Sequence, residues 1–152
     1  MKRFDGFKLK RNGPQPIFRI RVYPEHKSLY YVVNVWRTKK DMYAHCRWAK
    51  STFQGLCTTY EVIKGDGKGG WRLLPECGQV NLWKGRLGSA VVTHEFTHAA
   101  LGWARRVGLE PDNLLGHNGS ADVHPEEERF CHALCEMVRQ FIDRAYAAGV
   151  YQ

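Results

Sequence analysis

The spacing of the apolar residues changes near Gly88, and this change constrains the fold more than any other feature of the chain. Residues 17–23 alternate apolar and basic side chains, and residues 29–36 are rich in β-branched and aromatic ones, which predicts two strands joined by a turn. After Gly88 the apolar residues recur every three or four positions, which predicts helices. We therefore expect an α+β fold in which a small, mostly antiparallel sheet packs against two helices.

The part before Gly88 contains three further predicted elements. Thr38 can cap a short helix over residues 39–48, and residues 56–63 and 78–84 favour strands. Residues 65–70 place a lysine among glycines, as a phosphate-binding loop does, but the Gly-Lys-Ser/Thr ending is missing. A flexible hairpin turn is the better interpretation of this segment.

The length of 152 residues is that of one domain, with a basic, β-rich part over 1–87 and a helical part over 88–152. No segment approaches the ~20 apolar residues of a membrane span, and no apolar stretch follows the basic start of the chain. The five cysteines are an odd number at irregular spacings, which favours a reducing compartment. We expect a cytoplasmic protein in which Cys131 and Cys135 are small buried residues rather than zinc ligands.

The net charge of +8 is concentrated at the start of the chain. Residues 1–55 carry thirteen Lys and Arg against three Asp and Glu, a balance of +10, whereas the remainder has a balance of −2. Such asymmetry favours an anionic partner, although it also serves solubility. Nucleic acid is one candidate partner, because aromatic residues lie among the basic ones: Phe18, Tyr23, Tyr30, Tyr31 and Trp36.

The first predicted helix begins after Gly88, with Ser89 as N-cap, and Gly108 is a natural stop. Its core stripe comprises Val92, Phe96, Ala99 and Trp103. The neighbouring face carries Val91, His94, Glu95, His98 and Leu101. The two histidines are therefore expected to point in the same direction, away from the core stripe.

His94, Glu95 and His98 form the pattern His-Glu-x-x-His, which shuffling of this composition would produce with a probability of roughly two per cent. Histidines one helical turn apart can direct two nitrogens at one tetrahedral ion, at ~2.0 Å each. Glu95 lies beside such an ion and can act as general base toward its water. The pattern predicts a zinc site with two ligands and a base, and it leaves the third ligand open.

A second helix is predicted after His124, with Pro125 at its first position and a run of acidic residues in its first turn. It extends to Gly149, and its predicted buried stripe comprises Phe130, Leu134, Met137, Phe141 and Ala145.

Five residues can supply the third ligand: His117, Asp122, His124, Glu127 and Glu128. The metzincin pattern is excluded, because it needs glycine at position 101 and histidine at position 104. A glutamate on a packed helix is better preorganised than a side chain on the intervening loop. Of the two glutamates, Glu128 continues toward the small side chains of Cys131 and Cys135, which would allow the two helices to approach closely.

The segment "VVTHEFTHAAL" and the stretch from Glu128 to His132 resemble the gluzincins, and more closely the small metallopeptidases encoded by phages and prophages. The resemblance covers residues 77–146. It implies a zincin-like fold, Zn²⁺ held by His94, His98 and Glu128, and peptide hydrolysis by a zinc-bound water with Glu95 as base. The resemblance also implies a residue that stabilises the oxyanion or hydrogen-bonds a zinc ligand. The candidates for this residue are His117, His124, His132 and Tyr146.

Two functions of different classes follow from these patterns. The first is a zinc metallopeptidase that acts on a protein or peptide, in a host cytoplasm if a phage encodes it, with the basic residues guiding an acidic or nucleic-acid-associated substrate. The second is a non-catalytic, zinc-stabilised binding protein, such as a phage counter-defence factor or a nucleic-acid- or nucleoprotein-binding factor. Replacing Glu95 with glutamine would separate them, because binding survives the loss of the base and peptide hydrolysis does not.

Overall fold

A computed structural model describes residues 9, 11–46, 52–65, 67, 69–110 and 124–151. Six strands and three α-helices lie in this part of the chain. The strands are β1 (Phe18–Val22), β2 (Tyr30–Trp36), β3 (Leu56–Thr59), β4 (Ile63–Gly65), β5 (Trp71–Leu73) and β6 (Glu76–Trp83). The helices are α1 (Lys39–Cys46), α2 (Ser89–Arg106) and α3 (Pro125–Ala147).

Four strands form one sheet in the order β1-β2-β6-β3, and β4 and β5 form a separate antiparallel hairpin around the glycine-rich turn. The ladders β1–β2 and β3–β6 are antiparallel, whereas β2–β6 is parallel. A parallel pair needs a long connection, and α1, β3 and the hairpin provide it here. The predicted α+β class is confirmed, but the sheet is mixed.

The core lies between one face of the sheet and the two long helices. Alternate residues of β2 and β6 face the helices, among them Tyr31, Val33 and Val80, and each is fully buried. The predicted core stripe of α2 is confirmed, since Phe96 and Trp103 are at most 1% exposed. Each such large apolar side chain contributes about 1.5–3 kcal/mol to folding.

The two long helices lie antiparallel to each other. The rings of Phe96 and Phe141 are 5.6 Å apart, and the guanidinium of Arg129 lies 5.3 Å from the ring of Trp103. The beginning of α3 therefore lies against the end of α2. The beginning of α2, which carries the His-Glu-x-x-His pattern, is adjacent to the second half of α3.

The opposite face of the sheet is covered in part by α1, whose buried Met42 packs against Trp36. Thr38 caps this helix as predicted, because its Oγ1 accepts the N–H of Asp41 at 3.1 Å. Three buried amides also lie on this face, where Asn34 Nδ2 donates to both Gln79 and Asn81. Mutual hydrogen bonds reduce the cost of burying these polar side chains.

Three expectations about local structure are wrong. Gly88, not Ser89, is the N-cap of α2, and Ser89 is the first helical residue. Cys131 and Cys135 are exposed, because they lie on the face of α3 that points away from the sheet and α2. The strand predicted over 56–63 ends at Thr59, and the chain then enters the hairpin.

The predicted stripe of α3 is otherwise confirmed, with Phe130 and Leu134 half-buried and the remainder buried. No helix in the described part of the chain is long and apolar enough to cross a membrane.

Candidate metal centre

His94 and His98 lie on the exposed side of α2, one turn apart, and their ring nitrogens converge. The Nε2 atoms are 3.3 Å apart, and the two rings are nearly perpendicular. Two ligands about 2.0–2.1 Å from a tetrahedral ion are separated by about 3.3–3.4 Å. The pair therefore already has the spacing that two imidazole ligands of one zinc ion require.

The surface beside the histidines is open. A cavity of about 480 Å³ lies along α2 and is lined by Ser89, Ala90, Thr93, His94, Thr97 and His98. The non-histidine side chains of this lining are small, so they leave the ring nitrogens accessible. Thr97 Oγ1 donates to the carbonyl of Thr93, which fixes its hydroxyl along the helix.

Glu95 lies between α2 and strand β3, and this position differs from the exposed one expected beside the histidines. Only 6% of Glu95 is exposed. Its carboxylate accepts a hydrogen bond from the backbone N–H of Cys57. Burial raises the pKa of Glu95 above that of an ordinary carboxyl group, while His94, the Cys57 N–H and His98 oppose this rise.

Gly55 makes the close approach of Glu95 to β3 feasible. A Cβ atom at this position would lie 2.8 Å from Glu95 Cγ and 3.0 Å from Oε1, which is closer than Cβ atoms normally approach other atoms. Gly55 is buried. Glycine is therefore required here by space, not by backbone conformation, and the site consists of one helix face and the start of one strand.

The contacts made by Gly55 and Cys57 could not be anticipated from the sequence. Both residues are distant from Glu95 along the chain, and neither belongs to a recognisable motif. The one usable signal is the glycine immediately before a predicted strand, which is typical of a close backbone approach.

The structure does not bring Glu128 to the histidine pair. Its side chain is exposed, and the neighbouring Arg129 lies over Trp103, at the opposite end of α2 from His94. Glu127 and Glu128 both lie near the Cys131 thiol. Partial desolvation raises the pKa of this thiol most, and the two carboxylates raise it further. Within the described residues no group of three or more His, Cys, Asp or Glu side chains is arranged to hold a metal ion. The assignment of Glu128 as third ligand stays a prediction.

The other predicted site residues are dispersed. His124 is the N-cap of α3, where its Nδ1 accepts the N–H of Glu126 at 3.3 Å. His132 is exposed and lies on the side of α3 near Glu25 and Glu136.

Tyr146 is 57% exposed and packs against the ring of Tyr151 at the end of α3. His117 and Asp122 lie outside the described residues.

Comparisons of the chain with protein-family models, with curated proteins and with solved structures found no match. We therefore infer the function from the geometry and chemistry of the residues around His94, Glu95 and His98.

Proposed function

We propose that this protein is a zinc-dependent metallopeptidase in which His94 and His98 bind the metal and Glu95 is the general base. The observation that carries the proposal is the convergence of the two Nε2 atoms at 3.3 Å on an open helix face, with a carboxylate on the next residue. The two nitrogens are also within hydrogen-bonding distance of each other, and a metal ion would replace that contact with two ligand bonds at the same spacing.

Each residue of the site has a separate task. The zinc ion, when bound, supplies a Lewis acid that lowers the pKa of water and polarises a carbonyl group. The two histidines hold the ion on the rigid helix α2. Glu95 takes the proton of the attacking water and delivers it to the leaving amine, and the Cys57 N–H holds its carboxylate in place meanwhile.

The adjacent strand favours an extended peptide as substrate. Of the described strands, β3 is outermost in its sheet, so one of its edges is not paired with a strand. Along a strand, the backbone N–H and C=O groups of successive residues point alternately to the two edges of the strand. The N–H of Cys57 points to the edge that faces Glu95 and not to the edge paired with β6. Because Glu95 already accepts the Cys57 N–H on this edge, an extended peptide would run alongside β3 without pairing at Cys57, and its amide bonds would then lie beside the general base.

The third zinc ligand in this proposal is Glu128, on the strength of the gluzincin resemblance. The other candidates for the third ligand are His117, Asp122 and His124.

Two measurements test the proposed activity. Purified protein should contain about one zinc per chain, and it should cleave an unfolded protein such as fluorescently labelled casein. Glu95→Gln should keep the zinc and lose cleavage, His94→Ala should lose both, and His26→Ala should keep both as an exposed control. A wild-type protein that neither retains nor takes up zinc would overturn the proposal.

The alternative is a non-catalytic zinc protein that binds nucleic acid or nucleoprotein through its first 55 residues. The exposed side chains of Arg19, Arg21 and Arg37 favour it. Against it, Tyr31 and Trp36 are fully buried and cannot stack on bases. Under this alternative, Glu95→Gln would leave function unchanged, and binding would weaken steeply with rising salt.

A further inference from the structure

A second cavity, of about 250 Å³, lies at the other end of β3 from Gly55. Its walls are residues 59–61, Cys77, and the side of α2 that carries Gly102, Arg105 and Arg106. This cavity is separate from the one beside the histidines, since their linings share no residue.

Two polar atoms near this cavity are buried without a hydrogen-bond partner among the described residues: Arg106 Nη1 and the hydroxyl of Tyr31. The other terminal nitrogen of Arg106, Nη2, donates to the carbonyl of Leu74 at 2.7 Å. The Tyr31 hydroxyl lies next to the cavity wall, because a Cβ on Gly102 would be 2.6 Å from it. Burying a donor without an acceptor is unfavourable, so a ligand oxygen in the cavity that accepted from Arg106 Nη1 would be stabilising.

The charges of the cavity favour an anion. Arg105 and Arg106 lie opposite one acidic residue, Glu61, and Glu61 forms no salt bridge with any residue that the structure describes. The helix dipole accounts for basic residues in the last turn of α2. It does not account for a buried guanidinium N–H without an acceptor.

We propose that this cavity binds a carboxylate of the peptide substrate, through Arg105 and Arg106. A carboxylate presents two oxygens in the plane that a guanidinium prefers. The inference rests on the proposed function, because it takes the bound molecule to be the substrate.

The geometry fixes where the carboxylate lies in the substrate. Gly55 touches Glu95, and Thr59 lines the cavity, so β3 connects the two sites. Four residues of extended chain span about 13 Å. A peptide beside β3 with its scissile bond at Glu95 therefore places its fourth residue at the cavity, and that residue carries the carboxylate as a Glu side chain or as its chain end.

The experiment measures binding separately from cleavage. One series of labelled peptides carries Glu or Gln at the fourth residue before or after a central bond. A second series ends at the fourth residue after that bond, either as a free carboxylate or as an amide. Their affinities for zinc-loaded Glu95→Gln protein are measured by fluorescence anisotropy, and their cleavage by the wild-type protein is measured in parallel. We expect a carboxylate peptide to bind about tenfold or more tightly than its neutral partner, because charge-assisted hydrogen bonds are roughly twice as strong as neutral ones.

The variants Arg105→Ala and Arg106→Lys should reduce this preference, and Arg37→Ala should not, because Arg37 is exposed and outside the cavity wall. Arg106→Lys keeps the charge and removes the two-pronged donor, so a folded variant is expected for the test. Circular dichroism checks the fold of each variant.

Equal binding of charged and neutral peptides would overturn the proposal and leave the cavity as a water site. A preference that survives both arginine variants would overturn it too. Cleavage without a carboxylate preference would overturn this inference but not the proposed function. A preference without cleavage would support the carboxylate site and count against the peptidase.

Discussion

Replacing Gly55 with alanine should displace the carboxylate of Glu95 and leave the zinc pair untouched. The new Cβ would be 2.8 Å from Glu95 Cγ, whereas carbon atoms pack best at about 3.5–4.0 Å, so the side chain must retreat by about 0.7 Å. Catalytic groups tolerate about 0.5 Å of displacement, and an error of about 1 Å can reduce a rate 100-fold. We expect kcat/KM to fall about 10- to 100-fold.

The effect of Gly55→Ala on stability should be small, which separates a catalytic role from simple unfolding. The three atoms nearest to the new methyl group all belong to the Glu95 side chain and not to the backbone, so the main chain need not move. Gly55 is also not among the glycines with positive φ, so alanine gains about 0.4–1 kcal/mol from the unfolded chain. Because adding a methyl group to a packed site costs about 1–3 kcal/mol, the net loss of unfolding free energy should be about 2 kcal/mol or less.

The assay compares three quantities for Gly55→Ala, the wild type and a matched control. The control is Gly88→Ser, because no atom lies within 4 Å of a Cβ at that position and serine is a favoured residue at the N-cap of a helix. Cleavage of labelled casein, chelator competition for zinc and urea unfolding are measured for each protein. Cleavage by Gly55→Ala at the wild-type rate would refute the proposed role of Gly55, and so would a loss of activity that matches a loss of zinc affinity or of folded protein.

Three further predictions address stability and the metal. Gly102→Ala should destabilise the fold by about 1–3 kcal/mol in urea unfolding, because its Cβ would lie 2.3 Å from the Cγ2 atom of Thr59 in β3. Alanine normally stabilises a helix by ~1 kcal/mol relative to glycine, and a gain of that size would contradict the prediction. Arg139 lowers the pKa of Glu136 from 4.5 to about 2, so the ion pair stabilises the fold above pH 4.5 and this contribution is lost as the pH falls toward 2. The unfolding free energies of wild type and Glu136→Gln should therefore differ by about 1 kcal/mol or less at neutral pH, since the pair is exposed, and converge in acid; parallel pH profiles would argue against it. In a chelator titration, Glu128→Ala should lower the zinc affinity by more than the ~10- to 100-fold that loss of an indirect contact costs, and Glu127→Ala should lower it by that much or less. The reverse order would assign the third ligand to Glu127. An unchanged zinc affinity in both variants would exclude the two glutamates as ligands.

The sequence determined the local elements of this protein because their signals are local. The two-residue alternation around Ile20 and the apolar stripe through Phe96 each specify an element and the face that it buries. The ends of the helices also have local signals. Thr38 caps the start of α1, and the fixed φ of Pro125 suits the first position of α3. Gly108 and Gly149 adopt positive φ just after α2 and α3. The spacing of His94 and His98 also predicts their convergence, because one helical turn brings them together without help from the rest of the chain.

Only the tertiary structure decided which elements meet. The burial of Glu95, its bond to Cys57 and the space left by Gly55 depend on where α2 crosses β3. The antiparallel packing of the two long helices likewise places Arg129, the neighbour of Glu128, over Trp103 and leaves Cys135 exposed. A residue pattern fixes the face that an element buries, but the partner on that face is selected by the summed packing of residues far apart in sequence, which no local pattern encodes.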